Sequence, residues 1–578
     1  MSPLDRRMFL AGAGALAAAR AVGPAGGRLR RAADPPFEWG VASFDPTADS
    51  VLLWTRVTPG PAGEERLQWV VGRDQDLTDV VASGQVAVGA TSDHCAIVDA
   101  TGLEPATTWW YAFSTDEGAR SAIGRTRTMP AGAAARVRLG VVSCSRYASG
   151  GFAAFAALAD REVDLIVHLG DYIYEDGLAG ARAHEPPERL RSLEQYRARY
   201  AQHRRDPDLQ HLHARHPMVA VWDDHDVAGN AWRDGALGHD PATDGSWHER
   251  LVAAGQAHEE WLPGRTVRGA DGRLRAWRTL PLGGLAELVV LDTRTWGRDR
   301  QPTSAAEVGG PPPGAEPGST RRMLGDDQVR FVAERLRRRD GPADRPVWTV
   351  LANQVMFHPL RVPVPVESLT AQVEAAGFLV VDGDAVNPDQ WDGYPQAREE
   401  LSVAMGGAGG VVMLTGDAHS SWAWEGPAND GGQPVMVELV APSVTSESLA
   451  SRLPIPAAAV EGVLRGLDSE LSYVELSSHG YLLVELTPER VHAEWWHVDP
   501  NVPGSQQLGA ARAAPRTVPM HLTEVADPLP DPVASTATTE APPAEASDDD
   551  VPAAAIGAAG AALVAATAAV IAVRRRAR

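Results

Sequence analysis

Asp164-Leu165-Ile166-Val167-His168-Leu169-Gly170-Asp171-Tyr172-Ile173-Tyr174 decides the fold class of this chain. An apolar run of this length, closed by a glycine, reads as a buried strand. Asp171 and Tyr174, three residues apart beyond its end, can turn their oxygens onto one point. Two more segments share the design. Pro217-Met218-Val219-Ala220-Val221-Trp222 runs into Asp223-Asp224-His225-Asp226, and Gly410-Val411-Val412-Met413-Leu414 runs into Thr415-Gly416-Asp417-Ala418-His419. Buried strands that end in oxygen and imidazole donors set those donors along one sheet edge. Three such ends are what a two-metal hydrolase requires.

On either side of this stretch the same alternation continues. Strand patterns at 137–142, 163–169, 217–222, 286–291, 347–351 and 410–414 are interleaved with helical stretches such as 152–159. This predicts an α/β domain over residues 136–525, closed by a hairpin at 480–486 and 490–496. Residues 35–130 differ. Their short alternating runs at 50–57, 67–71 and 108–113, punctuated by glycine and proline, predict a fibronectin- or Ig-like all-β domain. Such a domain more often positions a neighbour than does chemistry.

At 578 residues the chain exceeds one ordinary core, which predicts two domains plus extensions. Hydrophobic content of 44% and charged content of 22% are those of a globular protein. A formal net charge of -22 argues against nucleic acid as the main partner. It leaves phosphate chemistry open, because bound cations invert a local field. The chain has no lysine, so all 53 basic residues are arginine. Any phosphate clamp is therefore built from guanidinium, amides or metal. Of the two cysteines, Cys95 and Cys144, three readings stand: one disulfide, two buried thiols, or Cys144 as a metal ligand, which its surroundings favour.

The chain ends add location. Asp5-Arg6-Arg7-Met8-Phe9-Leu10 and the weakly apolar run after it resemble a twin-arginine export signal within residues 1–34. That route moves folded proteins through the twin-arginine translocase, so metal would be loaded first. Residues 552–573 carry no charge and precede Arg574-Arg575-Arg576-Ala577-Arg578. About 21 helical residues at 1.5 Å each span roughly 31 Å, one bilayer core. A C-terminal transmembrane helix is therefore expected at 552–573, with the arginine tail 574–578 cytoplasmic. A peripheral helix is the alternative. Residues 526–551 read as a disordered Pro/Ala/acidic linker. Together the ends predict an extracytoplasmic protein anchored to the membrane.

The motifs Val142-Ser143-Cys144, Gly170-Asp171-Tyr172-Ile173-Tyr174-Glu175, Trp222-Asp223-Asp224-His225-Asp226, Asn353-Gln354-Val355-Met356, Trp391-Asp392-Gly393-Tyr394-Pro395 and Gly416-Asp417-Ala418-His419 occur in order. From about residue 37 to 498 the chain resembles the alkaline phosphatase D (PhoD-like) family of the calcineurin-like metallophosphoesterase superfamily. The resemblance implies a β-sandwich core flanked by helices in αββα layers. It implies Fe3+ on Cys144, Asp171, Tyr174 and His419, with Ca2+ nearby on Asp224, Asn353 and Asp417, other divalent metals being open. One carboxylate can offer an oxygen to each of two metals, which suits Asp171 as the bridge. A thiolate and a phenolate suit a ferric ion, and carboxylate and amide oxygens suit calcium.

The implied reaction is hydrolysis of phosphate mono- and diesters by metal-activated hydroxide, for phosphate acquisition. A phospholipase D-like phosphodiesterase is the second reading, and a non-catalytic surface binding protein on the same scaffold the third. His225, beside Asp224, is a candidate proton donor to the leaving oxygen or a structural histidine. Arg146 is a candidate phosphate clamp or a surface ion pair, and its position departs from the Ser-Cys-Gln pattern of the family. Phe44 before Asp45-Pro46 departs from a usual glycine. His203, His211, His213 and His216 lie in helical, arginine-rich surroundings and read as a packed or solvated face.

Overall fold

The computed structural model describes residues 35–530 apart from 61–62, 317, 338–345, 365–369, 376, 430 and 453–455. Strands Val137–Val142, Leu165–His168 and Met218–Ala220 are buried at every position and lie side by side in parallel. They form the middle of a ten-stranded sheet, which the hairpin Gly480–Leu486 and Arg490–His497 extends on one side. A seven-stranded sheet has Ala286–Val290, Trp348–Asn353, Val411–Thr415 and Met436–Val440 as its parallel centre.

The period of two along these strands sorts side chains into layers. Val350, Ala352, Val412 and Leu414 join the core that also holds Val141, Val167 and Val219 of the larger sheet. Leu351, Val411 and Met413 face the other way, onto helices Asp326–Arg337 and Pro395–Gly406 through Val332, Leu336, Leu401 and Met405. Helix Ala153–Ala159 covers the larger sheet so closely that a Cβ at Gly140 would lie 2.8 Å from Leu158 Cδ1. The α/β architecture with helices outside two facing sheets follows from this sorting.

The N-terminal strands are not a free-standing sandwich. Val41–Phe44 pairs in parallel with Met218–Ala220 through Phe44 and Met218, and Ser50–Arg56 and Cys95–Thr101 continue the same sheet. A four-stranded sheet packs against them over Val51, Leu53, Leu67, Val71 and Trp109. Buried Asp45 accepts two hydrogen bonds from Arg278, at 2.7 and 2.8 Å, and ties this corner to the seven-stranded sheet's first strand, Arg278–Leu282.

The expected transmembrane helix, and the membrane-anchored location that rested on it, are corrected here. Among the described residues no helix is long and apolar enough to cross a membrane. The longest of these, Trp247–Trp261, has 15 residues and carries His248, Glu249 and Arg250; at 1.5 Å per residue it reaches roughly 22 Å, short of a bilayer core of about 30 Å. The signal region 1–34, most of the linker and residues 552–578 lie outside the described residues.

Two buried histidines make stability depend on pH. Burial lowers His216 and His258 to about 3, from an ordinary value of 6.5. The unfolded chain therefore binds these protons first as pH falls. Their stabilisation is full above pH 6.5 and is lost progressively towards the folded value. At pH 5 each should have cost about 2 kcal/mol. Denaturant unfolding at pH 7 and pH 5 checks this: His258→Gln should flatten the loss, and an unchanged slope would contradict the assignment.

Candidate metal centre

The parallel strands of both sheets release their carboxyl ends at one edge. Cys144 follows Val137–Val142, Asp171 follows Leu165–His168, and Asp224 follows Met218–Ala220. Asp417 and His419 follow Val411–Thr415 of the other sheet. The sheets touch there, Val444 N donating to Ser143 O at 2.9 Å. A cavity of about 840 Å3 opens on this edge, with Asp171, Asp224, His225, Asp417 and His419 in its wall.

The backbone is strained where the donors sit. Cys144, Asp171, Asn230, Asp417 and His419 have φ of 59°, 54°, 51°, 58° and 51°. They are five of the eleven non-glycine residues with positive φ among those described. Such a concentration of an unfavourable conformation marks a functional edge. Gly170, at φ 106°, has no room for a Cβ, which would lie 2.4 Å from that of Asp223.

Donor atoms of Cys144, Asp171 and His419 lie within 4.8 Å of one another. Tyr174 Oη is 3.4 Å from His419 Nε2, and Ser446 Oγ donates to Tyr174 Oη at 2.5 Å. His419 Nδ1 is 2.8 Å from the carbonyl of Glu447. A carbonyl only accepts, so Nδ1 carries the proton and Nε2 keeps a lone pair for the centre. Burial, then Asp171, push both the Cys144 thiol and the Tyr174 hydroxyl well up. The field of the protein alone keeps both protonated; a cation is what would reverse it.

Asp171 is shared with a second group, Asp171, Asp224 and His225, and a third comprises Asp223, Asp224 and Asp417. Asp171 Oδ1 accepts from His225 N at 3.1 Å. Asp171 Oδ2, Asp223 Oδ2 and Asp224 Oδ1 are buried and accept no hydrogen bond of ordinary geometry. Orphaned carboxylate oxygens beside a thiol, a phenol and an imidazole fit metal ions, since buried anions otherwise go unpaired at high cost. Burial and Asp224 push Asp171 up. Burial also opposes ionisation of Asp224, yet Arg294 and then His225 bring it down to about 2.

Asp226 and Glu175 stand in the sequence motifs without an assigned role, and Asn230 and Arg294 lie outside them; all four hold this arrangement. Asp226 accepts from Asp171 N at 2.8 Å, Asp223 N at 2.9 Å and Ile173 N at 3.2 Å, stapling two donor loops together. Glu175 accepts from His225 Nδ1 at 2.8 Å and from Gly229 N at 2.9 Å. Asn230 donates its backbone N–H to Asp224 Oδ2 and lines the cavity. Arg294 lies among Asp223, Asp224, Asp389 and Asp417. Asp292-Thr293-Arg294 follows the strand Ala286–Val290, so a polar strand end of the same kind was there to be read.

Two expected site residues stand elsewhere. Asn353 is buried beneath the edge; its Oδ1 accepts from Trp391 Nε1 at 3.3 Å, and its Nδ2 donates to Thr415 Oγ1 at 3.2 Å and to Val355 O. Arg146 donates to Asp176 at 2.6 Å, its guanidinium over the Tyr174 ring, and does not line the cavity. Cys95 and Cys144 are both buried free thiols. Of the four histidines, His203, His213 and His216 are buried, while His211 pairs with Asp160 at 2.8 Å.

Replacing Asp226 by Asn tests the staple. The amide cannot accept from three N–H groups without turning its own NH2 towards one of them. Metal affinity should fall about 10- to 100-fold, as for other groups that orient ligands from behind. Metal titration by calorimetry checks this, and unchanged affinity would show that the loops hold themselves.

Comparison with known proteins gives the family. The family model for PhoD-like phosphatase matches residues 139–495, and that for the PhoD-like phosphatase N-terminal domain matches residues 21–130. Alkaline phosphatase D of Bacillus subtilis (strain 168) is 32% identical over 447 residues, covering 72% of each chain. A solved structure described as "Structure of PhoD" superposes with a TM-score of 0.72 at 26% identity, covering 88% of this chain and 94% of that one. The catalytic class is therefore hydrolysis of phosphoric esters, and the chain belongs to the PhoD-like phosphatase family.

Proposed function

We propose that this protein hydrolyses phosphate mono- and diesters at a two-metal centre, with Fe3+ held by Cys144, Asp171, Tyr174 and His419 and Ca2+ held beside it by Asp171, Asp224 and Asp417. One observation carries the reading: Asp171 belongs to two donor groups at once, and its Oδ2 is buried without a hydrogen bond. Thiolate, phenolate and imidazole donors suit a ferric ion, and carboxylate oxygens suit calcium. Bound metals would polarise the phosphoryl oxygens and activate water near neutral pH. Asn353, sealed beneath the edge, is left out of the ligand set; Asn230, in the cavity wall, is the better-placed amide.

The remaining work falls to the chain's own residues. Glu175 only accepts, so His225 Nδ1 carries the proton it shares with Glu175, and Nε2 is the nitrogen offered to the cavity. The Tyr174 ring stacks on His225 with centroids 4.3 Å apart and fixes its plane. Although burial opposes the charge, Asp224 and then Glu175 hold the His225 imidazolium well above the ordinary range, so Nε2 carries a proton too and is placed to hand it to the leaving oxygen. The cavity, at about 840 Å3, is far larger than a phosphoryl group and is apolar at Trp232, Met356, Leu360 and Trp422. This wall favours a second reading, that diesters with a bulky apolar group, phospholipid included, are accepted.

The test is elemental analysis of the purified protein, joined to hydrolysis of a nitrophenyl monoester, a bis-nitrophenyl diester and phosphatidylcholine. Iron, calcium and turnover of the nitrophenyl esters are expected; turnover of phosphatidylcholine as well would favour the second reading. Neither metal bound, and no turnover after reloading, would sink both. Glu175→Ala should slow alkyl phosphates by about 100-fold or more, yet nitrophenyl esters, whose leaving groups need little protonation, far less. Equal losses on both would show that His225 does not protonate the leaving group.

A further inference from the structure

Arg300 is the one arginine among the described residues that line the cavity, and the chain has no lysine. The other ionisable side chains of that wall are carboxylates and the imidazoles of His225, His358 and His419. Arg300 is exposed, and among the described residues its guanidinium makes no ion pair; its Cζ lies 5.8 Å from the centroid of the Trp232 ring. That ring is held in place. Trp232 N donates to Gly235 O at 2.8 Å, and Gly235 N to Trp232 O at 3.3 Å. A Cβ at Gly235 would lie 2.6 Å from Trp232 Cζ2, so the ring needs a glycine there. Gln301, next to Arg300, also lines the cavity and is only 6% exposed. Its Nε2 donates to Asn230 O at 3.3 Å, while its Oε1 is buried and accepts no hydrogen bond of ordinary geometry. A buried acceptor left open in a cavity wall is satisfied by what the cavity holds. These groups share one side of the centre. The loop that carries His225 and Asn230 continues to Trp232, and a Cβ at Gly229 would lie 3.3 Å from His225 Cε1.

We propose that Arg300, Trp232 and Gln301 form a leaving-group subsite, in which Arg300 selects phosphate esters whose leaving group is a flat ring bearing a second anion, carboxylate or phosphate. The inference rests on the metal-hydrolase reading above, in which the His225 side is the one from which the leaving group departs. A guanidinium offers an anion a planar fork of donors, and the indole beside it offers a flat ring an apolar face. Gln301 Oε1 only accepts, so it takes an O–H or N–H of the leaving group, or a water bridging to it. Carboxylates such as Glu374 and Glu447 elsewhere in the wall repel an anion, which leaves Arg300 as the place for it. Solvent reaches Arg300 and screens the pair, so the selectivity it gives is about fivefold.

The experiment compares 4-carboxyphenyl phosphate and 1,4-phenylene bisphosphate with neutral 4-carbamoylphenyl phosphate, on the full chain and its Arg300→Gln, Arg300→Lys and Arg300→Glu variants. The quantity read is the ratio of kcat/KM for an anionic ester to that for the neutral one. Comparing this ratio between variants cancels the intrinsic reactivity of each leaving group. R300Q should lower the ratio about fivefold; R300E should lower it further, and R300K should keep most of it. The gap between wild type and R300Q should close as salt is added. A loss confined to the carboxylate ester identifies carboxylate as the anion read, and a loss confined to the bisphosphate identifies phosphate. Equal ratios in wild type, R300Q and R300E, or a gap that salt leaves unchanged, overturn the proposal. No turnover of any of these esters after metals are reloaded sinks the metal-hydrolase reading itself, whereas turnover with equal ratios sinks this inference alone.

Discussion

Too many anions meet at one buried point, and the structure around them answers that constraint. Asp171, Asp223, Asp224, Asp389 and Asp417, with Cys144 and Tyr174, gather at the edge where two sheets touch. Backbone N–H groups aimed at Asp226, guanidinium groups on the far side, and donor atoms spaced for ions all address the same imbalance. Burying charge without a partner costs several kcal/mol per ion. A chain that builds such a cluster must compensate it, and its own arginines do so only in part.

That local tension explains features that otherwise look unrelated. Cys144, Asp171, Asp417 and His419 occupy left-handed backbone that non-glycine residues avoid. Gly170 is there because the loop of Asp223 leaves no room for a side chain. The parallel strands behind them are buried at every position, so the loops have a rigid base on which to hold strain. Such conformations persist where the surroundings over-determine them. The two-sheet core is thus a platform for a site that would not hold itself.

Much of this was legible in the sequence. Hydrophobic runs of strand length, each ending in Asp, His or Cys, locate the edge, because parallel strands must present their ends together. Asp171, Tyr174, Asp224, Asp417, His419 and Cys144 are gathered there. What was not legible depends on pairings that leave no local trace. The parallel pairing of Phe44 with Met218 joins the N-terminal strands to the large sheet, and no periodicity announces it. Asn353 lies at a strand end like the others, but its amide turns beneath the edge to Trp391, which sequence spacing cannot distinguish. Arg294 follows a strand end like the others, but its four carboxylate partners come from distant parts of the chain, so no local pattern marks it. The C-terminal apolar stretch was read from length and charge alone; among the described residues no helix meets both conditions.

We propose that Asp171 bridges two cations of different kind. Anomalous scattering from crystals of the native, metal-containing protein, collected on either side of the iron edge, tests it most directly. An iron peak is expected among Cys144, Asp171, Tyr174 and His419, with a second, lighter ion on the other oxygen of Asp171, towards Asp224. A single ion, or two ions that leave an Asp171 oxygen without a metal, would contradict it.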